Sequence, residues 1–328
     1  MPLKNKHMKT EVLEDYALEK RTRQKGSLKK VGIIGAGTMG QDIAVIISKQ
    51  GIDVVFIDLT EERVKEIFNE ISIRLDEIIS KWGMTKSEKR AIISRITGSI
   101  DYNDISDCDL VIESINTKKA GTSRELRKNV FKKIESVVSR ETILASNTST
   151  MMISDLAEVL DYPDRAVGLH FITPAITVKI VEVVNGVKTS DKSYEFVVKF
   201  AKKIGKRPII VHESPGNIST RLIATLINEA CEILMEGIAS TSCIDATMKK
   251  GYGMQFGPFE MADRIGLDKM VKWMENLHGE FGDQKFKPSP ILKRLVRYGF
   301  YGKTSGSGFY RYESGLATTE TITYPEIK

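Results

Sequence analysis

The sequence VGIIGAGTMG, at residues 31–40, decides the fold. Its first four residues form an apolar run with the length of a buried strand, and residues 38–50 carry isoleucines at helical spacing. A second apolar run, 54–57, follows and ends at Asp58. A strand, a glycine turn, a helix and a second strand within about thirty residues are typical of the βαβ unit of a parallel sheet.

The three glycines of this turn follow the spacing Gly-x-Gly-x-x-Gly, and each has a physical role. Gly35 permits the tight turn, Gly37 lets the backbone approach a pyrophosphate, and Gly40 lets the helix pack closely on the strand. The free N–H groups at the start of the helix then face the phosphates. The predicted nucleotide-binding turn comprises Gly35, Ala36, Gly37, Thr38, Met39 and Gly40.

Asp58 selects between the two nicotinamide dinucleotides. It ends the second strand, at the distance from the glycines that is typical of the residue binding the adenosine ribose. Its carboxylate can accept hydrogen bonds from the ribose hydroxyls and would repel a 2′-phosphate. The motif and Asp58 together predict NAD rather than NADP as the cofactor. A glycine turn that binds no nucleotide is the alternative.

Apolar runs continue to alternate with helical stretches along the chain. They lie at 110–112, 143–145, 166–169, 178–184 and 208–211. The alternation predicts an α/β fold with a doubly wound, Rossmann-type sheet. One departure is a pair of helical segments at 61–81 and 86–93, with a turn between them. It predicts a helical hairpin inserted beside the cofactor, where it could cover a substrate.

After Pro215 and Gly216 the pattern is helical only, which predicts an all-α C-terminal domain. Apolar residues at helical spacing predict the core of this domain together with a subunit interface. They are Ile218, Leu222, Ile223, Leu226, Ala230, Ile233, Leu234 and Ile238. We therefore divide the 328 residues into a charged N-terminal extension at 1–28, an NAD-binding Rossmann domain at 29–213, and an all-helical domain at 214–328.

Composition and charge argue against several classes of function. The net charge of +6 is concentrated in the first thirty residues, which hold nine Lys or Arg and four acidic residues, so the rest of the chain is nearly neutral. We expect no nucleic-acid partner for this body. No apolar stretch is long enough to cross a bilayer, and the polar N-terminus resembles neither a signal nor a transit peptide. We expect a cytoplasmic protein without a membrane partner.

The three cysteines, Cys108, Cys231 and Cys243, lack the spacing of metal ligands. We therefore expect reduced thiols and no metal site.

His170 and Glu182 are the candidate catalytic residues. His170 ends an apolar strand, at the carboxyl edge of the sheet where ligands of open α/β folds bind, and an imidazole there can take the proton of an alcohol near neutral pH. Glu182 lies within the apolar run 178–184, where a carboxylate is costly unless it has a partner, and a histidine would be suitable. A strand-end histidine and a surface carboxylate are the alternative interpretations.

Several motifs stand in the order found in one enzyme family, and the match runs from about residue 29 to residue 312. They are DLVIE at 109–113, ASNTS at 145–149, HFITP at 170–174, VKIVEV at 178–183, SPG at 214–216, GPFE at 257–260 and GKTSGSGFY at 302–310. The chain resembles the 3-hydroxyacyl-CoA dehydrogenases. The resemblance implies an oxidoreductase of fatty acid metabolism that interconverts a (3S)-hydroxyacyl-CoA and a 3-oxoacyl-CoA with NAD, on short acyl chains, as a homodimer joined through the C-terminal domain.

The resemblance also implies roles for individual residues. His170 is the catalytic base, Glu182 holds and polarises it, and Ser149 hydrogen-bonds the substrate oxygen near the nicotinamide. For Ser149, capping of a strand-to-helix turn is the alternative. Lys81, near the tip of the hairpin, would contact the CoA portion, unless it is merely a solvated lysine. Further cofactor contacts are expected from Glu113, Lys118, Ser149 and Thr173, and further substrate contacts from Ser149, Thr173 and Thr220.

Some positions depart from the family pattern. Thr173 and Thr220 stand where the family has asparagines, and a threonine is shorter and lacks the second polar atom of the amide. Thr117 replaces a glutamate, and about five extra residues lie between Glu113 and Phe131. These changes predict an altered substrate geometry.

Two alternative functions remain open on the sequence. One is a dehydrogenase of a small free 3-hydroxy acid, and the other is an NAD-binding paralogue that has lost turnover.

Overall fold

The computed structural model describes residues 28–80, 83–116, 123–313 and 315–321. The predicted N-terminal extension, apart from residue 28, lies outside these ranges, as do Lys81 and Lys118.

Eight strands form one sheet. The residues of its inner strands are almost all buried and mostly apolar, as expected of a sheet covered by helices on both sides, whereas the two edge strands are more exposed. The strands are β1 (Lys30–Ile34), β2 (Asp53–Ile57), β3 (Ile96–Ser99), β4 (Leu110–Glu113), β5 (Ile143–Ser146), β6 (Ala166–Phe171), β7 (Ile180–Asn185) and β8 (Arg207–His212). They lie side by side in the order β3-β2-β1-β4-β5-β6-β7-β8.

Strands β1 to β6 are parallel, and the direction reverses at β7. Only residues 172–179 connect β6 to β7, too few for a crossover helix, so β7 pairs antiparallel with β6, and β8 is parallel to β7. The alternating pattern of the sequence did not predict this reversal. It matters for the site because the register places His170 directly opposite Glu182.

The helices of the nucleotide-binding region pack on the two faces of the sheet and on one another. They are α1 (Thr38–Lys49), α2 (Glu61–Ser80), α3 (Lys86–Ile93), α4 (Ser123–Glu135), α5 (Ile153–Ala157) and α6 (Asp191–Lys203). Helices α2 and α3 form the expected hairpin, which is inserted between β2 and β3. The hairpin is anchored on α1 because the Arg74 guanidinium of α2 donates to Gln41 and pairs with Asp42.

Five helices follow the sheet, and their apolar side chains form a second hydrophobic core. They are α7 (Ser219–Met235), α8 (Thr241–Ala246), α9 (Pro258–Ile265), α10 (Leu267–Phe281) and α11 (Pro290–Arg297). Short 3₁₀ or π turns lie at Tyr102–Ile105, Pro163–Arg165, Thr247–Gly251, Gln284–Phe286 and Lys303–Ser305. No helix in the described part of the chain has the length and apolarity required to cross a lipid bilayer.

The prediction of helices alone in the C-terminal domain is wrong for its last part. Strands β9 (Tyr310–Glu313) and β10 (Leu316–Glu320) form an antiparallel pair. The pair is held to the helices by Asp263 of α9, whose carboxylate accepts hydrogen bonds from the backbone N–H groups of Phe309 (2.8 Å) and Tyr310 (2.9 Å).

Candidate active site

The glycine turn between β1 and α1 is built to accept a dinucleotide. Gly35 has a φ of 86°, which favours glycine, and a Cβ added to Gly40 would collide with the Gly35 carbonyl. A Cβ added to Gly37 would meet no atom within 4 Å, so open space lies beside the backbone there. Gly37 is also the N-cap of α1 and supplies no side-chain cap, which leaves N–H groups at the helix start for an anion. These residues fit the diphosphate of NAD.

Asp58 directly follows β2 and lies beside the glycine turn, as the sequence predicted. Its Oδ2 accepts a hydrogen bond from the Ala36 N–H (2.9 Å), and its Oδ1 accepts one from the Leu59 N–H (2.8 Å). These two bonds fix the orientation of the carboxylate. Because each oxygen can accept a second bond, the group can still receive the ribose hydroxyls of NAD.

A cavity of about 360 Å³ lies between the carboxyl edge of the sheet and helices α7 and α10. Gly37 of the glycine turn and His170 both line this cavity, although they are 133 residues apart in the sequence. The predicted site residues that line it are Gly37, Thr38, Met39, Ser149, His170, Thr173 and Thr220.

His170 and Glu182 form a buried pair at the wall of this cavity. The two residues are 5% and 2% exposed, respectively, and His170 Nδ1 lies 2.6 Å from Glu182 Oε2. The other carboxylate oxygen accepts a hydrogen bond from the Ser219 backbone N–H (2.8 Å), at the start of α7. The two alternatives, an isolated strand-end histidine and a surface carboxylate, therefore do not describe this pair.

The hydrogen bonds determine the charge of Glu182 and the tautomer of His170. Burial alone would raise the pKa of Glu182, but the hydrogen bonds and the charge from His170, with the bonds from Ser219, outweigh burial and lower that pKa. An ionised carboxylate only accepts hydrogen bonds, so His170 Nδ1 carries the proton and donates. This leaves Nε2 of the neutral imidazole as the nitrogen that can accept a proton.

Ser149 lines the cavity in the turn that follows β5. The backbone of this turn is capped by other side chains: Ser146 Oγ accepts from the Thr148 N–H (3.2 Å), and Thr148 Oγ1 accepts from the Met151 N–H (3.3 Å). Asn147 Oδ1 accepts from the Phe171 N–H (2.8 Å) and so ties the turn to β6, next to His170. Capping by Ser149 itself is thus not what holds the turn.

Glu113 lies beneath the cavity rather than at its wall. It is fully buried, and its carboxylate accepts hydrogen bonds from Arg127, from Ser146 Oγ (2.6 Å) and from the Ile115 N–H (2.7 Å). These three donors occupy the Glu113 carboxylate, and its contact with a cofactor stays a prediction. Arg127, its partner on α4, does line the cavity, and sequence reasoning missed it because the extra residues after Glu113 obscure the register.

The two threonines that replace family asparagines both line the cavity. Thr173 follows β6 in the loop to β7. Thr220, in the first turn of α7, is 1% exposed, and its Oγ1 has no hydrogen-bond partner among the described residues. A buried hydroxyl without a hydrogen-bond partner lowers the stability of the folded protein. A ligand that forms a hydrogen bond with this hydroxyl would remove that cost and bind more tightly.

Helix α10 contributes a further part of the wall that the sequence analysis missed. Lys269, Lys272, Trp273 and Asn276 recur at three- and four-residue spacing and all line the cavity. The spacing was a signal for one common face, but not for what that face meets. Among the described residues, no group of three or more His, Cys, Asp or Glu side chains could hold a metal ion.

The glycine turn, Asp58 and the buried histidine–carboxylate pair on one cavity define a dinucleotide-dependent oxidoreductase. Comparisons with known proteins give the family. The model of the 3-hydroxyacyl-CoA dehydrogenase NAD-binding domain matches residues 30–214, and that of the C-terminal domain matches residues 216–312. The chain belongs to the 3-hydroxyacyl-CoA dehydrogenase family and is an NAD-dependent oxidoreductase.

Individual relatives agree over most of the chain. A probable 3-hydroxybutyryl-CoA dehydrogenase of Deinococcus radiodurans is 38% identical over 283 residues, which are 86% of this chain and 100% of the relative. The human mitochondrial hydroxyacyl-coenzyme A dehydrogenase is 34% identical over 295 residues, 87% of this chain and 92% of the relative. The crystal structure of (S)-3-hydroxybutyryl-CoA dehydrogenase from Ralstonia eutropha superposes with a TM-score of 0.78 at 38% identity, covering 88% of this chain and 100% of that one.

Proposed function

We propose that the protein interconverts (3S)-hydroxyacyl-CoA and 3-oxoacyl-CoA with NAD, on short acyl chains, as part of fatty acid metabolism. The observation that carries the proposal is the 2.6 Å contact between His170 and Glu182 on a cavity that also contains the glycine turn. The names of the bacterial relatives, which are 3-hydroxybutyryl-CoA dehydrogenases, support the short chain.

In this proposal His170 is the catalytic base. When bound, NAD supplies the hydride acceptor for oxidation and the hydride donor for the reverse reaction. His170 Nε2 takes the proton of the 3-hydroxyl group in oxidation and returns it in reduction, while Nδ1–H stays bonded to Glu182. The carboxylate stabilises the positive charge that forms on the ring, and it keeps the ring in the tautomer that accepts at Nε2.

We assign the remaining polar groups of the wall to binding and orientation. The hydroxyl of Ser149 bonds the reacting oxygen of the substrate, which lies between it and His170. Thr220 and Thr173 bond the substrate or the nicotinamide end of the cofactor, and the unpartnered Oγ1 of Thr220 supports this role. Lys81 and Lys118 keep their predicted roles at the CoA and at the cofactor as parts of the proposal. Gly35, Ala36, Gly37, Thr38, Met39, Gly40 and Asp58 hold the adenosine diphosphate portion of NAD.

A substrate comparison tests the proposal. We expect rapid oxidation of NADH with acetoacetyl-CoA, almost none with acetoacetate, and much slower oxidation of NADPH because Asp58 repels its 2′-phosphate. Turnover of acetoacetate without inhibition by free CoA would instead assign a small free 3-hydroxy acid. Tight binding of NADH with no burst on mixing with either ketone would identify a paralogue without turnover.

We also propose a cytoplasmic homodimer, divided after residue 213 into NAD-binding and C-terminal domains and joined through the latter. Apolar side chains on and around α7 support the interface: Leu222 is 66% exposed and Ile238 is 61% exposed, an unfavourable state for a monomer. The solution mass of the full chain, measured by light scattering, would be twice that of one chain for a dimer. A mass of one chain at micromolar concentration would contradict the interface.

A further inference from the structure

The start of α7 supplies hydrogen bonds to the carboxylate of the histidine–carboxylate pair. The backbone N–H of Ser219 donates to Glu182 Oε1 (2.8 Å), and the Ser219 hydroxyl donates to Glu182 Oε2 (3.2 Å). Oε2 is also the oxygen that faces His170 Nδ1, at 2.6 Å. A side chain of the helical region therefore bonds the same carboxylate oxygen as the imidazole.

The turn before α7 determines where Ser219 lies. Gly216 and Asn217 have φ values of 82° and 44°, and the Asn217 N–H closes the turn on the Ser214 carbonyl (2.9 Å). Left-handed backbone of this kind favours glycine, and asparagine tolerates it better than most residues. The chain reverses here, and the first residue of α7, Ser219, meets Glu182 of strand β7.

Glu182 acts as the cap that α7 lacks in its own sequence. The residue that precedes the helix, Ile218, provides no side-chain cap, so the N–H groups at this end need an acceptor from elsewhere. The Glu182 carboxylate accepts one of them, and the positive end of the helix dipole stabilises its negative charge. The carboxylate that bonds His170 is thus also held by the first helix of the C-terminal region.

The hydroxyl of Ser219 and that of the next residue differ in what they can bind. Both Ser219 and Thr220 line the cavity. The Thr220 hydroxyl has no hydrogen-bond partner among the described residues, whereas the Ser219 hydroxyl donates to Glu182. Because a hydroxyl has one proton to donate, Ser219 cannot donate to a substrate while it holds the carboxylate. The contact with Glu182 therefore points to a role in the catalytic pair rather than in substrate binding.

We infer that Ser219 is a positioning residue, whose hydroxyl keeps Glu182 Oε2 within hydrogen-bond distance of His170 Nδ1; the inference rests on the proposed function. A carboxylate held by the protein only at Oε1 can turn about its Cγ–Cδ bond, and the bond from Ser219 to Oε2 removes that freedom. A fixed carboxylate in turn fixes the imidazole ring that exchanges the proton. Because Ser219 belongs to α7, the catalytic pair is fully supported only when the helical region is packed against the sheet.

Kinetics of the full chain with acetoacetyl-CoA and NADH test the inference. Ser219→Ala removes the hydroxyl and keeps the backbone N–H, whereas Ser219→Thr keeps both. The matched control is Ser242→Ala, which changes an exposed serine in the first turn of α8 that does not line the cavity. Ser219→Ala is also measured in the Glu182→Gln background. The NMR signal of the His170 Nδ1 proton, assigned by its absence in His170→Gln, reports on the pair without any turnover.

We expect Ser219→Ala to lower kcat about tenfold, as for loss of one hydrogen bond to a charged group, with the KM for acetoacetyl-CoA within about twofold of the parent. Ser219→Thr and Ser242→Ala should keep kcat within about twofold of the parent. In the Glu182→Gln background, Ser219→Ala should lower kcat by less than about twofold, because the charged group through which it acts is absent. The Nδ1 proton signal should move in Ser219→Ala and stay in place in Ser219→Thr.

Three kinetic results would overturn the inference. They are an unchanged kcat in Ser219→Ala, an equal loss of kcat in the Glu182→Gln background, and a rise in the KM alone, which would assign the hydroxyl to the substrate. If the parent did not reduce acetoacetyl-CoA, the proposed function would fail, and the Nδ1 proton signal would then decide the inference. A signal that Ser219→Ala leaves in place would overturn it.

Discussion

Glu182 and Asp263 are both buried carboxylates, one in the sheet and one in the helical region, and they differ in the groups that donate to them. Glu182 accepts from the imidazole of His170, whose other nitrogen is left for the cavity. Asp263 accepts from two backbone N–H groups and from the Tyr312 hydroxyl (3.0 Å) within a closed core. The first carboxylate has a partner that can gain a proton, whereas the second has only fixed neutral donors.

The different donors shift the two pKa values in opposite directions. For Glu182 the bonds and charge from His170 outweigh burial, and the pKa is lowered. For Asp263 burial outweighs the bonds from Tyr310, Phe309 and Tyr312, and the pKa is raised to about 6. The comparison shows that burial of a carboxylate does not by itself mark a catalytic site. What indicates a catalytic site is a partner of the carboxylate that can accept a proton and that lines a cavity.

The largest loss of activity should come from replacing His170. We expect His170→Gln to lower kcat for acetoacetyl-CoA reduction by about 10² to 10⁴, because glutamine cannot exchange the proton with the substrate. NADH affinity, measured by fluorescence, should stay within about threefold of the parent. His278→Gln, in an exposed turn of α10, is the control. Equal rates for parent and His170→Gln would remove His170 from the mechanism.

Replacing the carboxylate should have a smaller effect on the same step. Glu182→Gln keeps the shape but loses the charge that stabilises the protonated ring, so we expect kcat to fall by roughly 10²-fold. Glu195→Gln, on the exposed face of α6, should change nothing. If Glu182→Gln lowered only stability while kcat per folded molecule was unchanged, the two carboxylates would be alike after all.

Asp263→Asn should show the opposite behaviour. An amide has one acceptor oxygen, so one buried donor at Phe309, Tyr310 or Tyr312 loses its partner, at a cost of about 1–3 kcal/mol in the free energy of unfolding. We expect kcat of the folded protein to change less than about twofold. Chemical unfolding of Asp263→Asn and of the exposed control Asp161→Asn measures the difference. A large loss of kcat at unchanged stability would contradict the structural role.

The smallest predicted effect is the pH dependence of that stability. Because the Asp263 pKa is about 6 when folded and 3.8 ordinarily, the folded state binds the proton first as pH falls. Stability from this group therefore rises as pH falls through 6 and is lost as pH rises again. The free energy of unfolding of the parent should exceed that of Asp263→Asn by about 1 kcal/mol more at pH 5 than at pH 7. If this difference in the free energy of unfolding were smaller at pH 5 than at pH 7, the raised pKa of Asp263 would be contradicted.

The sequence predicted those parts of the fold that local patterns encode. The apolar runs at 31–34 and 54–57 became β1 and β2 with bounds that differ by one residue, and His170 and Glu182 proved to be paired. Strand β3 was missed because ITGS contains a single buried apolar residue, Ile96. Strand β10 was missed because its residues are mostly exposed and lack an apolar face.

The rest of the site depends on packing between distant segments. The spacing of Lys269, Lys272 and Asn276 indicates a helix face, but only the packing of α10 against the sheet edge places this face at the cavity. Arg127 could be identified as a residue of the site only from its contact with Glu113 in the structure. The two residues are 14 positions apart, and the segment between them does not align clearly with the family pattern. Tertiary contacts of this kind leave no local signal.

A double-mutant cycle on His170→Gln and Glu182→Gln, with kcat for acetoacetyl-CoA measured by stopped-flow at saturating NADH, tests the central claim most directly. If Glu182 acts only through the imidazole, the double variant should be as slow as His170→Gln alone, within about threefold. If the two losses instead multiply, the carboxylate acts independently of the histidine, and the account of a single catalytic pair is wrong.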